Sequence, residues 1–366
     1  MLYDFLTSYP YNIHFHISRN MMKVLFTGLG SIGQRHLRNL RKLIGNSVEV
    51  LAYRVLREVP MLNDQLQVVD GGSIKDEYDV VEFDDLDKAL AQKPDIVFIT
   101  NPGNLHIEVA RKAAEAGCHL FIEKPLGIGE EGVDELIELV ERKRLVALVA
   151  YQLRFHPGLQ QVDTWLKEER IGQLIFANLM LGEYHPDFHP YEDYRLGCSA
   201  VKEQGGGVIL SQIHEFDYAL WLFGKPRRIF TVGGKLSNLE IDTEDTASML
   251  MECQCNGQAL PVSLTLDYLQ SPPRRTCDIV GDQGNIVWDY HGKSAVLHSR
   301  ISGKTETLDF GDLERNQLFL DELQHFLAAV NGEIEPVVDL RSGLDSLRIA
   351  LAARKSIETG EVQILN

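Results

Sequence analysis

The sequence is poor in cysteine, and its few cysteines are scattered. The five are Cys118, Cys198, Cys253, Cys255 and Cys277, and no two form a C-x-x-C pair. An odd, dispersed set in a chain of 366 residues indicates reduced thiols rather than a disulfide framework. We therefore expect a cytoplasmic protein.

Basic residues and long apolar runs are also scarce. The chain has 36 Lys and Arg against 53 Asp and Glu, which gives a formal net charge of −17. This acidic excess argues against nucleic acid or an anionic membrane surface as a partner. No apolar run approaches the roughly 20 residues that span a bilayer. A local basic pocket could still bind a small anion.

The length of the chain predicts two domains, because one hydrophobic core rarely organises this many residues. Residues 1–20 lack the cationic start and continuous apolar segment of a signal peptide, and the regular pattern begins at Met21. We therefore expect residues 1–20 to be an extension outside the fold. Residues 21–150 and 151–366 are the two predicted domains.

The first predicted domain alternates strands with helices. Short apolar runs indicate buried strands, and apolar residues that recur on one helical face indicate helices. The predicted strands cover residues 23–28, 47–53, 94–100, 118–122 and 145–150, and the predicted helices cover residues 34–44, 84–91, 105–116 and 132–143. This alternation is typical of an α/β fold with a doubly wound parallel sheet, the Rossmann architecture.

After residue 150 strands follow strands. A predicted helix over residues 207–223 comes first, and two helices over residues 313–330 and 341–358 close the chain. The predicted strands between them cover residues 228–235, 246–254, 260–269, 275–281, 285–290 and 294–299. Strands in succession indicate an α+β domain with a mostly antiparallel, open sheet.

A G-x-G-x-x-G loop joins the first predicted strand to the first helix. Its glycines allow a tight turn, a close approach to a pyrophosphate and close helix–strand packing, and the helix N-terminus attracts the anion. The sequence therefore predicts a dinucleotide site at Gly28, Gly30, Ser31, Ile32 and Gly33. The alternative is a glycine-rich turn that binds nothing.

The end of the second predicted strand bears on the choice of dinucleotide. A site that prefers NAD places Asp or Glu there, on the ribose 2′-hydroxyl. This chain has Arg54 instead. A guanidinium binds a 2′-phosphate in bidentate fashion, which favours NADP(H) over NAD(H). Stacking of Arg54 on adenine is the alternative.

The motif Glu123-Lys124-Pro125 lies just past a predicted strand of the parallel sheet. Ligands in such folds bind outside the carboxyl ends of the strands. Lys124 is therefore placed for proton transfer beside a nicotinamide. The alternative is a surface lysine that pairs with Glu123.

Together these motifs resemble the glucose–fructose oxidoreductase and inositol dehydrogenase family, Gfo/Idh/MocA. The resemblance rests on the glycine loop, on Thr100-Asn101-Pro102 with His106, and on residues 116–126 (AGCHLFIEKPL). It implies NAD(P)-dependent hydride transfer at a carbinol or ketone carbon of a sugar, cyclitol, sugar acid or nucleotide sugar. It also implies a catalytic Lys124, often before a cis proline, and cofactor contacts from Thr100, Asn101, His106 and Glu123.

A second block, from Gly205 to Tyr218, resembles the same family. His214 matches the family histidine, whereas the family aspartate is missing and Leu210 or Ser211 takes its place. Lys124 and His214 are thus the predicted catalytic pair, with His214 titrating near neutrality. The alternative is a structural histidine.

The predicted substrate site adds polar and aromatic residues, which suit a polyhydroxylated ligand. Besides Lys124 and His214 it comprises Gln152, Arg154, Tyr184, His185, Tyr194 and Arg195. The two arginines could bind a substrate carboxylate or phosphate. The alternative is an ordered polar loop. His185 and His189 have helical metal-ligand spacing, but Pro186 and Pro190 preclude a regular helix, so no metal is expected.

Two further functions compete with the dehydrogenase prediction. A lyase or glycosidase could retain its NAD and use it for transient oxidation, and a non-catalytic protein could only sense NAD(P). A sensor would need neither Lys124 nor His214. The open sheet of the second domain needs burial, which predicts a homodimer or homotetramer through that sheet.

Overall fold

The computed structural model describes residues 21–55 and 59–365, so the predicted extension over residues 1–20 lies outside the described residues. The first half contains β1 (Met22–Thr27), α1 (Ser31–Ile44), β2 (Val48–Tyr53), α2 (Ile74–Tyr78), β3 (Val80–Phe83), α3 (Leu86–Leu90), β4 (Ile96–Ile99), α4 (His106–Ala116), β5 (His119–Glu123), α5 (Val133–Lys143) and β6 (Ala147–Ala150). The five predicted strands are confirmed as β1, β2, β4, β5 and β6.

The first sheet is parallel, with the strand order β3-β2-β1-β4-β5-β6. Strands β4 and β6 are buried along their whole length, as expected of a sheet covered on both faces. The strand order reverses between β1 and β4, which opens a crevice at their carboxyl ends. The Rossmann prediction is confirmed.

The second half contains α6 (Pro157–Lys167), β7 (Leu174–Gly182), α7 (Val208–Ser211), α8 (His214–Phe223), β8 (Arg228–Gly234), β9 (Thr246–Cys255), β10 (Gln258–Asp267), β11 (Arg274–Gly281), β12 (Gly284–Asp289), β13 (Ser294–Ser299), β14 (Thr305–Asp309), α9 (Arg315–Val330), α10 (Leu340–Thr359) and β15 (Gln363–Ile364). The helix predicted over residues 207–223 was wrong as a single element, because the chain turns between α7 and α8.

The second sheet has nine strands in the order β14-β13-β12-β11-β7-β10-β9-β8-β15. Its strand pairs are antiparallel except for β7 and β10, which run parallel. The expected mostly antiparallel sheet is confirmed. Side chains such as Phe230, Val232 and Leu250 remain exposed on one face, which is therefore open.

Helix α9 connects the two halves. It buries Leu323, Phe326 and Leu327 in the same apolar cluster as Phe98 and Phe121 of the first sheet. The rings of Phe326 and Phe121 lie 5.3 Å apart, edge to face. Helix α9, although it comes late in the chain, thus completes the hydrophobic core of the first sheet and holds the two halves together.

The described residues contain no helix long and apolar enough to cross a membrane. Within the same residues, no three His, Cys, Asp or Glu side chains are grouped so that they could hold a metal ion.

Candidate active site

The glycine loop is tightly packed toward the protein and open toward the crevice. Gly28 adopts φ +124°, and a Cβ there would lie 3.1 Å from the oxygen of Thr100. A Cβ on Gly33 would lie 2.3 Å from the oxygen of Gly28, whereas one on Gly30 would meet nothing within 4 Å. Helix α1 begins without a side-chain cap or an acidic residue in its first turn. This cradle suits a pyrophosphate.

The loop after β4 forms the other side of the crevice. The Thr100 hydroxyl donates to the oxygen of Gly28 over 2.7 Å, which ties the two loops together. The side-chain nitrogen of Asn101 is buried and has no hydrogen-bond partner among the described residues. It is therefore a donor that a bound dinucleotide could satisfy.

His106 contacts this loop and the loop after β5 through its ring nitrogens. Its ring is buried, with Nε2 2.8 Å from the oxygen of Asn101 and Nδ1 2.8 Å from the oxygen of Pro125. Complete burial lowers the pKa of His106. The ring therefore positions two loops of the crevice.

Arg54 lies at the end of β2 and pairs with Glu82 of the neighbouring strand β3. The guanidinium Nη1 and the carboxylate Oε1 are 2.5 Å apart. A carboxylate thus stands beside the guanidinium proposed to bind a 2′-phosphate.

Glu123, at the end of β5, is held by His36 of helix α1. His36 Nε2 lies 2.7 Å from Glu123 Oε1, and Glu123 Oε2 accepts the main-chain N–H of Lys124 over 3.2 Å. Both side chains are buried. Glu123 thereby fixes the backbone that carries Lys124, and the cis Lys124–Pro125 bond follows, as the resemblance implied.

The ammonium group of Lys124 crosses to the second half of the chain. Its Nζ donates to the main-chain oxygen of Ser211 over 2.8 Å. Burial lowers its pKa, opposed by the charges of Glu123 and Glu215 and assisted by those of Arg275 and Arg315. The lysine is therefore poised to give up its proton more readily than an ordinary one.

His214 begins helix α8 and faces Tyr151 edge to face, with ring centroids 5.6 Å apart. Burial, followed by the charges of Lys124, Arg275 and Arg315, holds its pKa well below the ordinary value. The expectation that His214 titrates near neutrality was wrong, because nearby cations and burial oppose the imidazolium. The ring is neutral, and its buried Nδ1 has no partner among the described residues.

The turn before His214 carries Leu210 and Ser211, the two residues named above for the place of the missing aspartate. Leu210 is fully buried in the core, whereas Ser211 ends α7 and presents its main-chain oxygen to Lys124. A carbonyl oxygen accepts the hydrogen bond here, without a carboxylate charge.

Two buried ion pairs involve Glu215 and Asp217 of helix α8, which begins at His214. Arg275 binds Glu215 through two hydrogen bonds of 2.7 and 3.0 Å. Arg154 binds Asp217 in the same manner, at 2.7 and 2.9 Å, and its guanidinium lies 5.0 Å from the centre of the Trp221 ring. The sequence reasoning missed Glu215 and Arg275. No local pattern marked them, because Arg275 lies on β11 next to Arg274 and Thr276 and Glu215 lies on helix α8.

The other predicted substrate residues differ in exposure. His185 is buried against Phe188 and Tyr268, and burial lowers its pKa to about 4. Tyr194 accepts the main-chain N–H of Glu240. Arg195 is exposed and binds Asp193 and Glu240.

Tyr184 is 39% exposed at the end of β7. Gln152 is half-buried in the 3₁₀ turn Gln152–Phe155.

Comparison with known proteins gives a consistent picture. A family model for oxidoreductases with an NAD-binding Rossmann fold, Gfo/Idh/MocA, matches residues 22–151, and the model of its C-terminal α/β domain matches residues 166–364. Myo-inositol 2-dehydrogenase of Thermotoga maritima is 24% identical over 343 residues, covering 92% of this chain and 96% of that protein. The scyllo-inositol 2-dehydrogenase (NAD(+)) of Bacillus subtilis is 25% identical over 347 residues, 91% and 93% of the two chains.

Among solved structures, the WlbA dehydrogenase of Bordetella pertussis, in complex with NADH and UDP-GlcNAcA, superposes with a TM-score of 0.77. It is 19% identical, and the match covers 96% of this chain and 99% of the other. At this identity the likeness concerns the fold.

Proposed function

Because the chain belongs to the Gfo/Idh/MocA family of NAD-binding oxidoreductases, we propose that Lys124 and His214 exchange the proton of its substrate. The protein is an NAD(P)-dependent dehydrogenase or reductase that acts on CH–OH groups. The observation that carries the proposal is the 2.8 Å bond from Lys124 Nζ to Ser211, three residues before His214. The bond ties Lys124 to the turn that precedes His214, and the charge of Lys124 acts on the His214 ring, which supports a shared role for the two residues.

The crevice fits the dinucleotide. There is space for a pyrophosphate at Gly30. The uncapped start of α1 and the unpartnered amide of Asn101 offer hydrogen-bond donors that the pyrophosphate and the nicotinamide ribose would use. Gly28, Ser31, Ile32, Gly33 and Thr100 would line it, while His106 and Glu123 would position its walls. Arg54 would face the adenosine.

When bound, the dinucleotide accepts or donates a hydride at nicotinamide C4. In oxidation the substrate hydroxyl must release its proton as the C–H bond on the same carbon breaks. The neutral amine of Lys124 accepts that proton, which its lowered pKa permits. In reduction the ammonium returns the proton to the oxygen. Neutral His214 hydrogen-bonds the same oxygen and can relay the proton.

The substrate is proposed to be a sugar, cyclitol, sugar acid or nucleotide sugar. Gln152, Tyr184, Tyr194 and Arg195 would supply directed donors and acceptors to its hydroxyl groups. Arg154 and His185, both already enclosed by protein, would shape the wall behind it.

The test is a panel of such compounds with NAD and NADP, followed by nicotinamide absorbance at about 340 nm. We expect a net absorbance change with at least one compound. Its rate should fall about 10²–10⁴-fold in Lys124→Met. Lys42→Met, on the exposed side of α1, is the control and should retain the rate. Product formation without a net change would favour the retained-NAD lyase or glycosidase. Full activity of Lys124→Met would overturn the proposal.

We further propose that the protein is a cytoplasmic homodimer or homotetramer. The open sheet face presents Phe176, Phe230, Val232 and Leu250, each 37–63% exposed. Burial of such a face is favourable because apolar area leaves water. Light scattering should give a molar mass equal to two or four chains. Leu250→Lys, which places a charge on the open sheet face, should lower that mass. A monomeric wild-type protein would contradict the assembly.

A further inference from the structure

Residues 185–205, here called the crossing segment, connect the second sheet to the glycine block before α7. The segment consists of four 3₁₀ turns, His185–Asp187, Tyr194–Leu196, Cys198–Ala200 and Lys202–Gln204. It touches the Rossmann half of the molecule at two separate places. Both lie at the crevice between β1 and β4.

The first contact is made by Tyr191. Its hydroxyl lies within reach of the side chain of Ser31, the first residue of helix α1. Ser31 belongs to the glycine loop, so the phenol reaches the point where the helix N-terminus attracts an anion. The ring of His189 lies 5.4 Å from that of Tyr191, and His189 pairs with Glu192 at 2.7 Å. The tyrosine is thus held by its neighbours.

The second contact closes the other side of the crevice. A Cβ on Gly103, in the loop after β4, would lie 3.6 Å from the oxygen of Gln204. A Cβ on Gly205 would lie 2.5 Å from Ile128. The crossing segment therefore spans from the start of α1 to the loop after β4, over the place where the dinucleotide is proposed to bind.

We propose that Tyr191 is a cofactor-binding residue supplied by the second half of the chain, whose hydroxyl donates to the pyrophosphate of the dinucleotide. The inference rests on the proposed dinucleotide site. Burial raises the pKa of Tyr191 to about 12, so the phenol keeps its proton at neutral pH and can donate it in a hydrogen bond. A hydrogen bond to a charged acceptor is stronger than one to a neutral hydroxyl such as that of Ser31.

The same arrangement couples cofactor to substrate. Tyr194 and Arg195 lie on the crossing segment only a few residues after Tyr191. A dinucleotide that binds Tyr191 would therefore contact the same segment that is proposed to bind substrate.

The experiment compares wild type and Tyr191→Phe by calorimetric titration with NAD, NADP, ADP-ribose and adenosine. Loss of a hydrogen bond to a charged group should lower the affinity for the dinucleotides and for ADP-ribose about 10-fold or more. Adenosine, which has no pyrophosphate, should bind both proteins equally. Leu196→Ala is the control, because it changes an exposed side chain of the same segment and should leave dinucleotide affinity unchanged.

The outcomes separate this inference from the proposed function. Wild-type dinucleotide binding with equal affinity in Tyr191→Phe would overturn the role of Tyr191 alone. Absence of dinucleotide binding to wild type would overturn both. If the variant is less stable, the rise in melting temperature on adding NAD, measured against each protein's own ligand-free value, remains the criterion. An equal rise in both proteins would refute the role of Tyr191.

Discussion

The ammonium nitrogen of Lys124 lies 2.8 Å from the main-chain oxygen of Ser211, which with Leu210 is one of the two residues that stand where the resemblance implied an aspartate. The bond fixes the lysine between β5 and the turn that precedes His214. A carbonyl accepts a hydrogen bond as a carboxylate does, but it contributes no full negative charge to stabilise the ammonium. Burial therefore prevails and lowers the Lys124 pKa.

Substitution of Ser211 by aspartate tests this relationship. The added carboxylate should favour the ammonium form and raise the Lys124 pKa by about one unit or more. Because oxidation requires the neutral amine, the rising limb of kcat/KM against pH should move to higher pH. Ser211→Asn, similar in size but uncharged, should leave the limb in place. Identical profiles for the two variants would show that Lys124 is not the titrating base.

The buried pair of Glu215 and Arg275 should dominate local stability. Glu215→Gln leaves the guanidinium buried without its carboxylate, and we expect a loss of about 3–5 kcal/mol in the free energy of unfolding. Urea denaturation measures it. Glu252→Gln removes a partner from the exposed pair with Arg228 and should change stability by at most about 1 kcal/mol. Equal losses at both sites would contradict the assigned burial.

Cofactor preference should respond to the pairing of Arg54 with Glu82. Arg54→Ala should weaken NADP more than NAD, because only NADP carries the 2′-phosphate. Glu82→Gln removes the carboxylate beside the guanidinium and should improve NADP relative to NAD about 10-fold. Dissociation constants from fluorescence titration decide the matter. If neither substitution changes the ratio of the dissociation constants for NADP and NAD, Arg54 faces adenine or lies outside the site.

Glu322 should impose a pH-dependent penalty on folding. It is buried on α9 with no partner for either carboxyl oxygen among the described residues, and burial raises its pKa well above the ordinary value, as do Glu123 and Asp217. The folded state therefore holds a proton that the unfolded chain releases above about pH 4.3. Stability is lost as the pH rises beyond that point, because the unfolded state then binds fewer protons.

Glu322→Gln should accordingly be more stable than wild type at neutral pH, by about 1–3 kcal/mol. The difference should vanish near pH 4, roughly the unfolded pKa. Glu138→Gln, on the exposed side of α5, should show no such dependence. A constant difference across the pH range would exclude ionisation of Glu322 as its cause.

The sequence patterns missed several elements, among them α6, β7 and β14 in the second half of the chain and α2 and β3 in the first. Strand β7 lies at the centre of the second sheet, but its open face carries Ile175, Phe176 and Met180. The apolar–polar alternation that marks a half-buried strand is therefore absent. Strand β3 has only four residues, and Val81 and Glu82 are exposed at the edge of its sheet. Strand β7 is an apolar run that periodicity alone does not distinguish from a helix, and β3 is too short for a period to show.

The sequence by itself determined the Rossmann half, the glycine loop between β1 and α1 and the place of Lys124 at the end of β5, because each depends on contiguous residues. Buried strands, glycine spacing and the Glu123-Lys124-Pro125 motif act over a few positions. Only the tertiary structure decided the ion pairs. His36 meets Glu123 across 87 positions and Arg275 meets Glu215 across 60. It also decided that His214 is neutral, because burial and the charges around a side chain come from residues distant in the chain.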